Sequence, residues 1–251
     1  GAGAAVLAQR RPGYGGALRE GLRAARGDWV ITLDADLSHP PEVLCELMAA
    51  RQRADVVIAS RYVQGGSARM PIARSLLSRL LNLVYRRVLA VPVADLSSGF
   101  RLYQRRVLDE LELVSEKYDV LEEILVKIYS RGWRVLEIPF AYQPRAAGQS
   151  HAKVVGFTPA FLSTLFELWR MRNSFSSADY DSRAYDSLVL PQRWWQRKRH
   201  RIVLSMLGDL HPRLDAGCGS SRIAQSDPRT VALDIEIAKL RFLRRSNPLR
   251  I

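Results

Sequence analysis

Short apolar runs alternate along the chain with segments of helical periodicity. Residues 15–25 place Leu18, Leu22 and Ala25 on one face and predict a helix. Residues 29–33 (WVITL) form an apolar run between Gly27-Asp28 and Asp34, which predicts a buried strand. Pro40-Pro41-Glu42 opens a helix to about Arg53, proline being tolerated in a first turn. Residues 55–60 (DVVIAS) predict a second buried strand. A glycine-containing loop, 64–70, leads to a long helix over about 72–89. Its apolar stripe is Leu76, Leu77, Leu80, Leu81, Val84 and Val88, with Arg79 and Arg86 opposite. Residues 95–103 read as a loop entering a strand, 118–130 as a helix carrying Glu122 and Glu123, and 133–139 as a strand. A polar loop, 145–153, precedes an apolar helix over 154–173 with Arg170 and Arg172 at its end. Strands alternating with helices imply an α/β fold with a parallel sheet.

The pattern changes near Ser174. Residues 173–187 are polar and read as a linker, and 191–200 are basic and aromatic, with Trp194 and Trp195 adjacent. A new strand-and-turn signal starts at 213–218 (RLDAGC). The expected organisation is a first domain over 1–173, a linker and helix over 174–203, and a second, partial domain over 204–251.

Charge changes this picture more than size does. The 251 residues carry a net charge of +13, and only five of the 38 basic residues are lysine. Arginine forks match phosphate geometry, so the excess points to an anionic partner: nucleotide, lipid phosphate, membrane surface or nucleic acid. A bias towards arginine codons explains it equally well, and no nucleic-acid motif accompanies it. Cys45 and Cys218 are the only cysteines, which excludes a disulfide framework and a cysteine zinc cluster. No segment reaches the roughly 18 apolar residues of a membrane span. No signal peptide is visible, and the missing initiating Met suggests a chain that begins inside a longer protein.

The most informative segment is Asp34-Ala35-Asp36-Leu37-Ser38-His39-Pro40-Pro41-Glu42. Two aspartates one residue apart follow a buried strand, at the end of an α/β sheet where ligands bind. Such a pair can hold Mg²⁺ or Mn²⁺, which take oxygen ligands and leave room for substrate phosphates. The plainer alternative is two loop aspartates, one capping the next helix.

Six ordered segments carry a resemblance: GDWVITLDADLSHPPE (27–42), ASRYVQGG (59–66), RSLLSRLLN (74–82), DLSSGFRLY (95–103), RGWRVLEIPFAY (131–142) and PRAAGQSHAK (144–153). Together they resemble family 2 glycosyltransferases of the dolichyl-phosphate mannose synthase type. The resemblance implies a Rossmann-like GT-A domain that inverts the anomeric centre, moving a sugar from a nucleotide-diphospho-sugar donor to a polyprenyl phosphate. It implies Asp34 and Asp36 as metal ligands, with Ser38 where some members use Gln. It places Arg61, Arg74, Arg145 and Lys153 as cations for the acceptor phosphate, with Ser75 and Ser150 as hydroxyl donors. Asp95 and Gly99 shape the acceptor loop. Glu123, or its neighbour Glu122, falls near an acidic position that other family 2 enzymes use as a base. His39 matches the motif and is read as structural. A lipid phosphate is already an anionic nucleophile, so it needs orientation more than deprotonation.

The helix from about Val154 carries Phe157, Phe161, Leu165, Leu168 and Trp169 on roughly one face. It suits either a membrane interface or packing on the sheet. Further on, LDAGCGSSR (214–222) and VALD (231–234) resemble the opening of a class I S-adenosylmethionine-dependent methyltransferase. Asp215, Gly217 and Gly219 fall in its cofactor loop and Asp234 at its ribose acid. The alternative is a βαβ unit with no nucleotide role. The glycosyltransferase-like part lacks the family's first βαβ unit, and the methyltransferase-like part stops early. The whole reads as the middle of a two-enzyme fusion, peripheral on the cytoplasmic face of a membrane. Competing expectations are a methyltransferase whose front half only binds lipid phosphate, and a basic nucleic-acid-binding protein.

Overall fold

The computed structural model describes residues 3–10, 12–36, 38–69, 72–116, 119–143 and 159–246; for residues 72–74, 159–161 and 246 it describes the backbone alone. The chain forms two compact units. The first takes 1–127 and 135–169, and the second takes 128–134 and 170–251.

In chain order, the first stretch carries α1 (Tyr14–Ala24), β1 (Trp29–Thr32), α2 (Glu42–Ala50), β2 (Val56–Ser60), β3 (Ser67–Ala68) and α3 (Ile72–Val88). It continues with β4 (Arg101–Gln104), α4 (Arg105–Asp109), α5 (Val120–Ser130), β5 (Val135–Pro139), β6 (Ala141–Tyr142) and α6 (Pro159–Arg172). The main sheet has the order β1-β4-β2-β5. β2 and β5 are parallel, but β4 runs antiparallel to both β1 and β2. The expected parallel sheet is therefore mixed. The cause lies in where β4 begins: Arg101, its first residue, pairs with Thr32 at the end of β1 and with Ile58 near the end of β2. The loop before β4 reaches the sheet at the end where β1 and β2 finish, so the strand runs back. As a result, the segments after β1, β2 and β5 and the segment before β4 gather at one sheet end.

β2 is buried throughout, as its uninterrupted VVIAS run requires of a strand covered on both faces. Val43, Leu47 and Ala50 of α2 pack there with Val57, Ala59, Phe100, Leu102 and Phe140. α3 departs from expectation. Its apolar stripe faces solvent, with Leu76 63% and Leu80 56% exposed, while Asn82 and Tyr85 point inward. In α6 Leu168 is buried, but Leu162, Phe166 and Trp169 are exposed; Phe157 lies outside the described residues. No helix of the described residues is long and apolar enough to cross a membrane.

The second unit holds α7 (Tyr180–Tyr185), α8 (Leu190–Leu207), β7 (Arg213–Ala216), α9 (Arg222–Ser226), β8 (Thr230–Leu233) and α10 (Ile237–Ser246). β7 and β8 are parallel with α9 between them. Cys218, Ala224 and Leu243 form a small core with Ala232, Leu240 and Phe242. Residues 174–203, read from sequence as linker and helix, carry α7 and α8. Buried Arg172 pairs with Asp179 and donates to Ser177 Oγ at 2.6 Å. Burial opposes ionisation of Asp179, yet the Arg172 and Arg183 guanidinia hold its carboxyl below the usual range.

Candidate functional site

The turn after β1 is built by its own side chains. The Asp34 N–H donates to His39 Nδ1 at 3.0 Å, and the Ser38 N–H donates to Asp36 Oδ1 at 3.1 Å. His39 is buried and stacks on Phe100 with ring centroids 4.6 Å apart. Burial, helped by Arg61, keeps the imidazole pKa below its ordinary value, although Asp34 and Asp36 pull the other way. A neutral His39 accepting at Nδ1 thus fixes the turn that presents Asp34 and Asp36, both half-buried.

Across the sheet end, Arg61 follows β2 and meets Asp95. Its N–H and Nε donate to Asp95 Oδ2 at 3.0 and 2.7 Å, and Nη2 donates to Asp95 Oδ1 and Ser97 Oγ at 2.7 and 2.8 Å. Burial disfavours the guanidinium charge, but the Asp95 hydrogen bonds and charge hold it firmly protonated. Tyr62 and Tyr142 rings lie 5.1 and 5.9 Å from the guanidinium carbon. Fully buried Asp95 is itself fixed. Glu137 of β5 accepts the Ala94 and Asp95 N–H groups at 2.8 and 3.0 Å, and Asn82 of α3 accepts the Leu96 N–H at 2.8 Å. Arg101, with no exposed surface, donates to the carbonyls of Ser98, Leu96 and Leu121. Sequence reasoning missed Asn82, Arg101 and Glu137. The available signal was their place in the ordered segments 74–82, 95–103 and 131–142.

Gly99 closes the gap between the two halves. The Thr32 hydroxyl donates to its carbonyl at 2.7 Å. A Cβ there would lie 2.8 Å from the Tyr14 hydroxyl and 3.9 Å from Asp34 Oδ1. Ser75 is half-buried in α3. Arg74 lies in the same helix, but its side chain is outside the described residues, as are Arg145, Ser150 and Lys153.

The two glutamates of α5 separate. Glu123, expected with its neighbour Glu122 near a position that other family 2 enzymes use as a base, is held by backbone and ion-pair contacts. It accepts the Val114 and Ser115 N–H groups at 2.9 Å each and pairs with buried Lys127. Those contacts overcome burial and hold its pKa below the ordinary value. Glu122 keeps a buried Oε2 without a hydrogen-bond partner among the described residues. Burial pushes its pKa up to about 7; Arg101 opposes this, while Asp119 and Asp95 reinforce it. The same burial, with Glu122 and Asp119, pushes the Tyr85 phenol up.

The site thus joins a two-carboxylate turn to a clamped arginine. Residues 3–112 match the sequence profile of glycosyl transferase family 2. The chain is 36% identical over 150 residues to "Dolichol-phosphate mannosyltransferase" of Pyrococcus furiosus, covering 57% of this chain and 42% of that protein. It is also 36% identical over 155 residues to "Polyprenol monophosphomannose synthase" of Mycolicibacterium smegmatis, covering 60% of this chain and 55% of that one. The chain spans about half the length of these relatives. Among solved structures, glucosyl-3-phosphoglycerate synthase from Mycobacterium tuberculosis, in complex with Mn²⁺, uridine diphosphate and glucosyl-3-phosphoglycerate, has a TM-score of 0.49. That match is at 22% identity, over 63% of this chain and 55% of that one.

In the second unit, Asp215 lies in β7 and is half-buried. Burial raises its pKa, against a Ser221 hydrogen bond. Gly217 and Gly219 take φ of 68° and 57°, a region other residues rarely adopt. The Gly219 N–H donates to Asp234 Oδ2 at 2.7 Å, so the acid after β8 closes the glycine turn. The Ser220 N–H donates to Asp181 at 3.0 Å.

Proposed function

We propose that the first unit is the catalytic domain of an inverting, metal-dependent glycosyltransferase, moving a sugar from a nucleotide-diphospho-sugar to a polyprenyl phosphate. The convergence of the Asp34–Asp36 turn and the Asp95-clamped Arg61 at one sheet end carries this reading, and the two mannosyl-transfer relatives support it. The donor set suits Mg²⁺ or Mn²⁺, which take one or two carboxylates and complete their shell with water and substrate phosphate. Among the described residues no third His, Cys, Asp or Glu joins the pair, which disfavours a closed protein cage. Ser38 Oγ is buried beside the turn without a partner among the described residues, and it would be available to a water on the ion.

Asp34 and Asp36 would hold the ion, and the ion supplies charge neutralisation for the departing diphosphate. Arg61 sits in a fixed orientation, because Asp95 clamps its guanidinium and Glu137 and Asn82 hold the Asp95 loop, and this suits positioning of an anionic oxygen. The acceptor phosphate arrives ionised, so the geometry asks for aim rather than for a strong base. Arg74, Ser75, Arg145, Ser150 and Lys153 are proposed as further contacts of that phosphate. The exposed apolar faces of α3 and α6 favour peripheral attachment to a membrane surface, on the cytoplasmic face, where a long-chain lipid acceptor resides. The test is Mn²⁺-dependent transfer of labelled sugar, from a panel of nucleotide sugars, to a short polyprenyl phosphate. Transfer lost in Asp36→Ala is the expected result. A folded protein that transfers from no donor overturns the reading.

A second reading belongs to the other unit. Left-handed Gly217 and Gly219, closed by Asp234 beyond parallel β7 and β8, suit a nucleoside ligand such as S-adenosylmethionine, with Asp234 on the ribose hydroxyls. Titration calorimetry with S-adenosylmethionine tests it, and absence of binding by the folded chain overturns it.

A further inference from the structure

Helix α8 runs for 18 residues with none buried. Its half-buried side carries Gln192, Gln196, His200, Val203, Leu204 and Leu207. Its outward side carries Trp194 and Trp195, each 57% exposed, with Ile202 and with Met206 at 79%. Arg197, Lys198, Arg199 and Arg201 share that side, and the helix contains no acid. The entering chain extends the apolar band through Leu188 and Val189, which are also exposed. Lys198 Nζ stands 4.7 Å over the Trp194 ring, so cation and indole form one amphipathic surface. Arg197 leans towards Asp186 at 3.5 Å, a weak exposed pair.

Such a face is costly in water, because large apolar side chains stay hydrated beside unneutralised charge. Nucleic acid satisfies the cations and stacks on the tryptophans, but it gives the aliphatic Leu188, Val189, Leu190, Ile202 and Met206 nothing to enter. A lipid headgroup boundary satisfies all three: phosphate for the cations, an amphipathic layer for indole, and acyl chain for the aliphatic groups. We propose that the exposed face of α8 docks on an anionic phospholipid surface, with Trp194, Trp195, Ile202 and Met206 entering the headgroup boundary. None of these residues belongs to the first unit, so the inference stands apart from the sugar-transfer reading.

The experiment is co-sedimentation of the whole chain with vesicles of phosphatidylcholine alone, and of phosphatidylcholine and phosphatidylglycerol in equal parts. Three variants accompany it: Trp194→Ser with Trp195→Ser; Arg197, Lys198, Arg199 and Arg201 each →Gln; and Leu76→Ser with Leu80→Ser on α3. Exposed positions leave the fold intact, which unfolding temperature verifies. Partitioning to the mixed vesicles is expected to fall about tenfold or more in each α8 variant, and to weaken with salt in the wild type. The α3 variant reports separately on the first unit, and sugar transfer to a short soluble acceptor stays unchanged in the α8 variants. The inference is overturned by equal partitioning of wild type and α8 variants, by equal binding to both vesicle types, or by tighter binding to single-stranded nucleic acid.

Discussion

Two adjacent glutamates show how residue environment, more than residue type, decides a role. Glu123 turns towards backbone amides and Lys127, whereas Glu122 keeps a buried oxygen without a hydrogen-bond partner among the described residues. Their pKa values therefore move apart. For Glu123 the folded pKa lies below the unfolded one, so its stabilisation is present above the unfolded value and lost as pH falls. For Glu122 the folded pKa of about 7 lies above the unfolded one, so its contribution is complete at low pH and lost as pH rises through 7. Glu122→Gln is expected to raise stability at about pH 8, by up to about 3 kcal/mol, and to flatten the pH dependence. Denaturant titrations across pH check this, and unchanged curves refute it. Glu123→Gln is expected to destabilise by about 1–3 kcal/mol while leaving kcat per folded molecule intact, since it loosens a loop rather than a reacting group. Arg101→Met removes the buried guanidinium that donates to the Ser98, Leu96 and Leu121 carbonyls, and a loss of about 3 kcal/mol or more is expected in chemical denaturation. The sequence motifs pointed to Asp34, Asp36, Arg61 and Asp95. They did not show that Arg61 and Asp95, 34 positions apart, form one ion pair, because local pattern carries no information on such pairing.

At the scale of elements, periodicity located the helices and strands but not which face meets the core. The α3 stripe is apolar, and apolar stripes normally turn inward. Here the inward face instead carries Asn82, whose amide serves the Asp95 loop, and Tyr85 beside Glu122. Polar residues that hold the Asp95 loop and border Glu122 have taken the buried side. Leu80→Ser should then change stability by no more than about 0.5 kcal/mol, whereas Leu89→Ala, at a fully buried position after the helix, should cost about 2–5 kcal/mol. Thermal melts of the two variants check the contrast, and a large loss in the Leu80 variant would mean that the face is packed. The antiparallel β4 was illegible for a related reason. Strand direction depends on where a loop returns to the sheet, and the 95–103 segment reads the same in either direction.

At the scale of the whole molecule, the two proposed readings place a candidate ligand turn in each unit, after β1 in one and after β7 in the other, so each reading can be tested by its own ligand. A ligand that binds only the folded state raises stability by RT ln(1 + [L]/Kd), about 2.7 kcal/mol at a hundredfold excess over Kd. Mn²⁺ with the correct nucleotide sugar should therefore raise the unfolding temperature by several degrees, and Asp36→Asn should erase the shift while leaving the unliganded temperature almost unchanged. S-adenosylmethionine should give an independent shift that Asp36→Asn leaves intact. Gly219→Val should remove that second shift, because a Cβ at this φ of 57° would stand 2.4 Å from Asp181 Oδ2 and displace the turn. A donor shift that survives Asp36→Asn would move the metal away from the β1 turn. A missing S-adenosylmethionine shift in the wild type would leave the glycine turn a structural closure held by Asp234 and Asp181. Because the two shifts rest on different residues, failure of one reading leaves the other intact.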